Sequence, residues 1–306
     1  MITCTKNLNT WPRRKFISSL TSTAFAATIV KPLTSFATTN EVSDDLTVQQ
    51  VIDLIVKSIP GAPFKNTVDT VKSGDANQKV TGIVTTMFAT DDVIEKTTTL
   101  GSNFIIAHEP TFYNHTDDTG WLQNDDVYQY KKALLEKNNV VIWRCHDYIH
   151  AHKPDGVLMG VLSALEWSKY YDPSNPHIIS IPSTSFGNII DHAKKQLEIA
   201  HLKIIGDRNQ MCSRVALIPG AAGGRLQIAA LQKEKPDLLI VGELNEWETS
   251  EYVRDLRHMG SNTSLLVLGH IASEEPGLHW LAEWLKPQLP GINITHVPST
   301  DAFTWA

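Results

Sequence analysis

Gly269-His270-Ile271-Ala272-Ser273-Glu274 sets a histidine and a carboxylate four residues apart, just after the apolar run Ser264 to Leu268. A run of that kind reads as a buried strand. Imidazole and carboxylate are the ligands that Zn, Mn, Fe, Co or Ni accept without thiolate, so the pair reads as half of a metal site. Two other apolar runs end in the same kinds of residue. Phe104-Ile105-Ile106-Ala107 leads into His108-Glu109-Pro110, and Val141-Ile142-Trp143 leads into Arg144-Cys145-His146-Asp147, with His150 and His152 just beyond. Open α/β sheets bind ligands outside the carboxyl ends of their strands, which is where all three clusters fall. A histidine after a strand is by itself more often a hydrogen-bonded structural residue, so the argument rests on the three clusters together.

The elements that must position these residues alternate along the chain. Strands are expected at Val80 to Val84, Asn103 to Ile106, Val140 to Trp143, His177 to Ile181, Val215 to Ile218, Asp237 to Val241, Leu265 to Leu268 and Ile292 to Ile294. Helices are expected at Thr47 to Ile59, from Asp91, at Asp125 to Lys137, Ile189 to Ala200, Leu226 to Lys233 and Trp247 to Met259, with a final one through Leu278, Leu281 and Leu285. Alternation of this kind argues for α/β layers in two halves, with a seam near Tyr170 to Pro176. Proline favours the first turn of a helix. Pro276 therefore predicts that the last helix begins near Glu275 with Ser273 as cap, leaving His270 and Glu274 on the turn that enters it.

Composition narrows the function. The chain has 306 residues, 42% of them hydrophobic, enough for a large packed core. Trp11-Pro12-Arg13-Arg14-Lys15 precedes a mildly apolar stretch, Phe16 to Val30, and the small residues of Ser35-Phe36-Ala37. This order reads as a twin-arginine export signal over residues 1–37, followed by a flexible mature start at 38–45 and one domain over 46–306. The expected location is periplasmic, and the stretch is too short and polar for a stable membrane anchor. Cleavage removes five basic residues, taking Lys and Arg from 27 to 22 against an unchanged 33 Asp and Glu, a net charge of −11. That balance disfavours nucleic acid as a partner. Cys145 and Cys212 remain, expected as buried free thiols rather than a disulfide framework.

These residues resemble a known family, the NIF-three-like proteins with a dinuclear metal centre, also called GTP cyclohydrolase 1 type 2. The resemblance runs from about Leu46 to Phe303. Val80-Thr81-Gly82-Ile83 with Asp91 to Ile94 matches the family's first strand and helix. Ala107-His108-Glu109-Pro110 sits at its His-His-Pro motif, His146 to Gly156 at its His-Thr-Asn-x-Asp motif, and Gly269 to Glu274 with Pro276-Gly277 at its Gly-His-x-x-x-Glu signature. The resemblance implies an α/β fold of two related halves, each a mixed sheet flanked by helices, in the short form without an inserted domain, with the metal site in the cleft between them. It also implies a homohexamer, two divalent metal ions and a metal-activated water acting on a small-molecule substrate. Two positions depart from the pattern. Glu109 stands for the family's second histidine, and His150 for its aspartate. The implied ligand set, His108, Glu109, His150, His270 and Glu274, still holds three histidines and two carboxylates, with Glu274 as the shared bridge. His146 is left for outer-sphere orientation or proton transfer. A hydrolase is the first reading, and a non-catalytic metal-binding or ring-forming scaffold the second.

Weaker features lie around this set. Pro219-Gly220-Ala221-Ala222-Gly223-Gly224 is either a tight turn or a phosphate cradle, the former favoured because no P-loop lysine follows. Gly242-Glu243 follows its own strand at the family's Gly-Asp position and is expected to face the cavity. Asn245, Glu246 and Trp247 replace a more basic family segment, which weakens any transfer of substrate. Tyr113 and His115 are candidates for the entrance or for plain surface loop.

Overall fold

The computed structural model describes residues 45–304; the expected signal and nearly all of the expected flexible start lie outside them. Its core strands are continuous runs of apolar residues, so successive side chains must be buried on both faces of a sheet. In the first half these are β1 (Val71–Ser73), β2 (Ile83–Thr86), β3 (Phe104–Ala107) and β4 (Val141–Arg144). They form a five-stranded sheet of order β1-β4-β3-β2-β10, whose last strand, β10 (Ile294–His296), comes from the far end of the chain. β2, β3, β4 and β10 run parallel, and β1 pairs antiparallel with β4. Ile83, Phe104, Ile106, Val141 and Trp143 point into one core, and Val84, Ile105, Ala107 and Ile142 into the other.

The second half repeats the plan with β5 (Ile178–Ser185), β6 (Lys203–Ile205), β7 (Met211–Ile218), β8 (Leu238–Val241) and β9 (Ser264–Val267). Its order is β5-β7-β8-β9-β6, with β7, β8 and β9 parallel and the two edges antiparallel. Both sheets are therefore mixed, and the expected two-halves architecture holds. The 3-10 turn Ser168–Tyr170 lies between the last helix before β5 and β5 itself, and the chain later recrosses to add β10 to the first sheet.

Helices cover the sheets. α1 (Val48–Lys57) opens on a capping box in which Thr47 and Gln50 satisfy each other's amides. α2 (Asp91–Thr99) and α3 (Asp126–Lys137) are capped by Thr90 and Asp125. α4 (Asp147–Ala151) and α5 (Gly156–Ala164) follow β4, α6 (Phe186–Gln196) follows β5, α7 (Gly224–Glu234) follows β7, and α8 (Glu251–His258) follows β8 through the π-helical segment Glu246–Ser250. α9 (His270–Leu285) follows β9.

α5 and α9 each pack on the other half's sheet. α5 places Leu158, Val161 and Leu162 in the core of the second sheet, whereas α9 places Leu278, Leu281 and Leu285 in that of the first. Each leucine buried in this way stabilises the fold by about 1.5–3 kcal/mol. The two helices cross backbone to backbone: a Cβ on Gly160 would strike Pro276 and Gly277, and one on Gly277 would lie 2.7 Å from Val157 Cα. The crossing thus fixes the C-terminal ends of one half's strands against those of the other. Among the described residues no helix is long and apolar enough to cross a membrane.

Pro276 does not start α9. The helix begins at His270, and the proline lies inside it. Proline cannot donate to the carbonyl four residues back, at a cost of about 3 kcal/mol in a helix interior. Tertiary contacts hold the first turn despite that loss. Ser273, fully buried, accepts from the Gly220 amide (3.0 Å) and donates to the His270 carbonyl (2.8 Å), while its own amide bonds to Gly269 O (3.2 Å). His270 and Glu274 are therefore stacked one turn apart on one helical face rather than spread along an entering turn.

Candidate metal centre

Each ligand-type side chain is delivered by a strand end. His108 and Glu109 leave β3 with both amides bonded to Met87 O just past β2 (3.1 and 2.8 Å), so the pair is pinned between neighbouring strands. The Met87 amide in turn donates to the Glu275 carboxylate (3.1 Å), which also accepts from Ser299 N (3.0 Å) and Oγ (2.6 Å). Past β4, buried Asp69 accepts from the amides of His146 (2.8 Å) and Tyr148 (2.7 Å) and fixes the start of α4. Burial pushes the Asp69 carboxyl above its ordinary range, against those hydrogen bonds. His150 lies one turn further on. Asp155 caps α5 through the amides of Val157 and Leu158 and takes the His150 ring with its other oxygen, so helix start and ligand orientation share one carboxylate.

The imidazoles are oriented alike. His108 Nδ1 lies 3.2 Å from Cys145 O, His146 Nδ1 2.9 Å from Asp147 Oδ1, His150 Nδ1 3.0 Å from Asp155 Oδ2 and His270 Nδ1 3.3 Å from Glu243 Oε2. Carbonyl and carboxylate oxygens only accept, so Nδ1 of His108, His146 and His150 carries a proton, and all four Nε2 atoms are turned inward. That outer hydrogen bond is how a metal-binding histidine is held in its tautomer.

The inward atoms converge. Glu274 Oε2 lies 3.3 Å from His108 Nε2 and 3.0 Å from His270 Nε2, and its Oε1 3.9 Å from His150 Nε2. Glu109 Oε1 lies 3.3 Å from His270 Nε2 and 4.0 Å from the Nε2 atoms of His108 and His146. Two groups have metal-ligand spacing, His108 with His146 and His150, and His108 with Glu109 and Glu274. His108 Nε2 is buried and has no hydrogen-bond partner. A buried polar atom without a partner is costly, and a cation on its lone pair removes the cost. The donor set of imidazoles and carboxylates fits a borderline divalent ion.

Electrostatics among the protein groups agree. Burial alone would raise both carboxyls. The hydrogen bond from His270 and the charges of His108 and His270 hold Glu109 below its ordinary value, and contacts from His108 and His270 hold Glu274 far below it. Burial would lower His270, but its hydrogen bonds to Glu109 and Glu274 raise it to about 10. Burial and the neighbouring His108 press His146 down to about 4, which keeps it neutral. His150 is raised against burial by Asp155.

All five expected ligands, His108, Glu109, His150, His270 and Glu274, come together here. His146 joins them more closely than expected, with its ring 4.8 Å from that of His108 and 5.1 Å from that of His150. His115 stands at the edge, its ring 5.7 Å from His146, and His152 turns away to pack on Trp280 and Trp284. Gly220 lies against the Glu274 carboxylate, and Gly224, the first residue of α7, lies against Glu248. Both cysteines are free and buried. Sequence reasoning missed Asp69, Asp155 and Arg144. The fully buried Arg144 guanidinium pairs with Glu109 (3.3 Å) and Asp117 (3.5 Å) and donates to the carbonyls of His108 and His115. An arginine at the end of a buried strand was the available signal.

Known proteins share this architecture. The family described as Duf34/NIF3 (NGG1p interacting factor 3) matches residues 46–302. A GTP cyclohydrolase 1 type 2 homolog of Clostridium perfringens is 24% identical over 246 residues, 77% of this chain and 90% of that protein. The homolog of Chlamydia pneumoniae is 27% identical over 241 residues, 75% and 88%. Among solved structures, a hypothetical protein of Staphylococcus aureus superposes with a TM-score of 0.69 at 16% identity, covering 86% of this chain and all of that one. A Bacillus cereus protein related to NIF3 gives 0.66 at 15%, also over 86% of this chain and all of that one.

Proposed function

The chain belongs to the Duf34/NIF3 family, and from that premise we propose that it is a metal-dependent hydrolase whose centre holds two divalent ions. The observation that carries the reading is the convergence of His108, His146, His150 and His270, the first three with Nδ1–H given to an outer acceptor, on the carboxylates of Glu109 and Glu274. One group takes His108, His146 and His150, the other His108, Glu109 and Glu274, with His270 beside both carboxylates. In this reading His146 is a ligand, and Glu274 is the bridge. Divalent ions held there supply Lewis acidity and acidify a water.

The remaining chemistry belongs to the chain. Glu109 and Glu274 stay ionised because imidazoles surround them. Arg144 neutralises the far oxygen of Glu109 and holds the loop that carries His115 beside the site. The α5–α9 crossing keeps the two halves of the ligand set in register. The names of the relatives point to hydrolytic opening of a purine ring. Here that substrate is an analogy, since the chain is read as exported. Export through the paired arginines, periplasmic location and assembly into a hexamer belong to the same proposal and rest on sequence and resemblance; fractionation and sizing of the mature protein test them.

The central test is metal analysis of the mature protein with turnover assays on esters, amides and GTP. Two ions per chain with metal-dependent turnover are expected, and Glu274→Gln should lose both while staying folded. Protein that binds no metal overturns the reading. Full metal with no turnover on any substrate leaves a binding or scaffold protein instead.

A further inference from the structure

Glu243 is a carboxylate held at the rim of the centre by a network of its own. Its amide donates to Gly220 O (3.0 Å), and its carbonyl accepts from Gln227 Nε2 (2.9 Å). Gln227 is fully buried on α7, and its Oε1 accepts from the equally buried Thr249 in the π-helical segment (2.6 Å). π-helical turns occur frequently at functional sites. The side chain has one recorded partner, His270 Nδ1 at 3.3 Å, and is 56% exposed. Among the described residues no lysine or arginine pairs with it. The other acids of that stretch are engaged: Glu246 by Lys203 (2.7 Å) and Glu248 by Asn245 (3.0 Å).

Positive charge near the centre is not offered to a ligand. Arg144 is wholly buried and held by Glu109, Asp117 and two carbonyls. The start of α7, where a helix favours an anion, already faces the protein's own Glu248 carboxylate. Meanwhile His108 Nε2, buried and without a hydrogen-bond partner, is aimed at Glu274, the neighbour of His270, so the centre beside Glu243 is built for a ligand. A carboxylate at the rim of such a site hydrogen-bonds strongly to a cation and repels an anion.

We propose that Glu243 sets the substrate class of this centre: molecules that carry an ammonium group close to the bond being hydrolysed, with phosphate esters and polyphosphates disfavoured. The assignment rests on the metal-centre reading above and goes beyond it. One Glu243 oxygen lies 3.3 Å from His270 Nδ1, and the half-exposed carboxylate is open to accept from the ammonium.

The test is calorimetric and needs no turnover. Metal-loaded mature protein is titrated with three metal-chelating hydroxamates of matched length: β-alanine hydroxamate, propionohydroxamate and succinic monohydroxamate. The ammonium-bearing ligand should bind about tenfold more tightly than the neutral one, a factor that corresponds to roughly 1.4 kcal/mol, and the acidic ligand more weakly than either. Glu243→Gln should abolish the preference, and Glu243→Lys should reverse the order. Equal binding of the three, tightest binding of the acidic ligand, or a parallel loss for all three in Glu243→Gln overturns the assignment. In each of those cases the metal-centre reading survives. Protein without metal overturns both.

Discussion

Replacing Gly220 by alanine separates a turn from a ligand support. Gly220 and Gly223 both have positive φ, +67° and +82°. An alanine at either must hold a positive φ, and at Gly223, with ψ 154°, an extended one, at roughly 1–3 kcal/mol each. At Gly223 the added methyl meets nothing within 4 Å. At Gly220 it overlaps Glu274 Oε1 and comes within 2.5 Å of its Cδ. Glu274 is almost wholly buried and has no empty space to retreat into, so its carboxylate must swing off the axis it shares with His108 and His270. Disturbing a residue that only orients a ligand costs about 10–100-fold in metal affinity, and a displaced ligand should cost at least as much. Both variants should lose thermal stability in chelator, about 2–4 °C per kcal/mol for a chain of this size, with the buried overlap adding to the loss in Gly220→Ala. Only Gly220→Ala should lose metal, read by competition against a fluorescent chelator. If Gly220→Ala binds metal within about twofold of Gly223→Ala, the glycine serves the turn alone and the reasoning fails.

Two more expectations follow from charge. His270 is raised from 6.5 to about 10 by Glu109 and Glu274. In chelator its stabilising contribution is full below pH 6.5 and disappears as pH rises through about 10. The same proton must leave before Nε2 binds a cation, so metal affinity should climb by up to about tenfold per pH unit between pH 6.5 and 10; a flat profile in chelator competition refutes this. Arg144→Met takes the guanidinium from two buried carboxylates, Glu109 and Asp117, and should cost about 3–5 kcal/mol in denaturant titrations. A loss below about 1 kcal/mol would show that these charges are solvated.

The parallel strands were legible because their residues are apolar on both faces. Their ends were less so. The first strand runs to Thr86 rather than Val84, since Thr85, despite its hydroxyl, is buried with that group donating to Leu278 O (2.7 Å). β1 and β6 escaped detection as three-residue edges that each contain a lysine. α5 escaped because it carries apolar residues all round, with no polar face to set a period. In α9 the proline was a local signal that tertiary contacts overrode. The ligand types and their strand-end address were readable from spacing and resemblance. Asp69, Asp155 and Arg144 were not, because their partners lie 77, 5 and 35 residues away, respectively, and only the fold makes them neighbours.

Arg144 also gives the exchange of ligand types between Glu109 and His150 a physical logic. A carboxylate at 109 offers one oxygen to the centre and the other to a guanidinium that no solvent reaches. A histidine there offers one lone pair and nothing to neutralise Arg144. With the negative charge moved to 109, position 150 is free to be an imidazole, and Asp155 holds it as Asp147 holds His146. The net charge of the ligand set is unchanged, but its position is not. The carboxylates of Glu109 and Glu274 now both reach His270, and His108 joins them to His146 and His150. Ions held by these two groups would meet unequal fields, since one group includes two carboxylates and the other is made of imidazoles alone. The carboxylate side lies next to His270 and Glu243, which makes it the side on which an ammonium-bearing ligand is anchored.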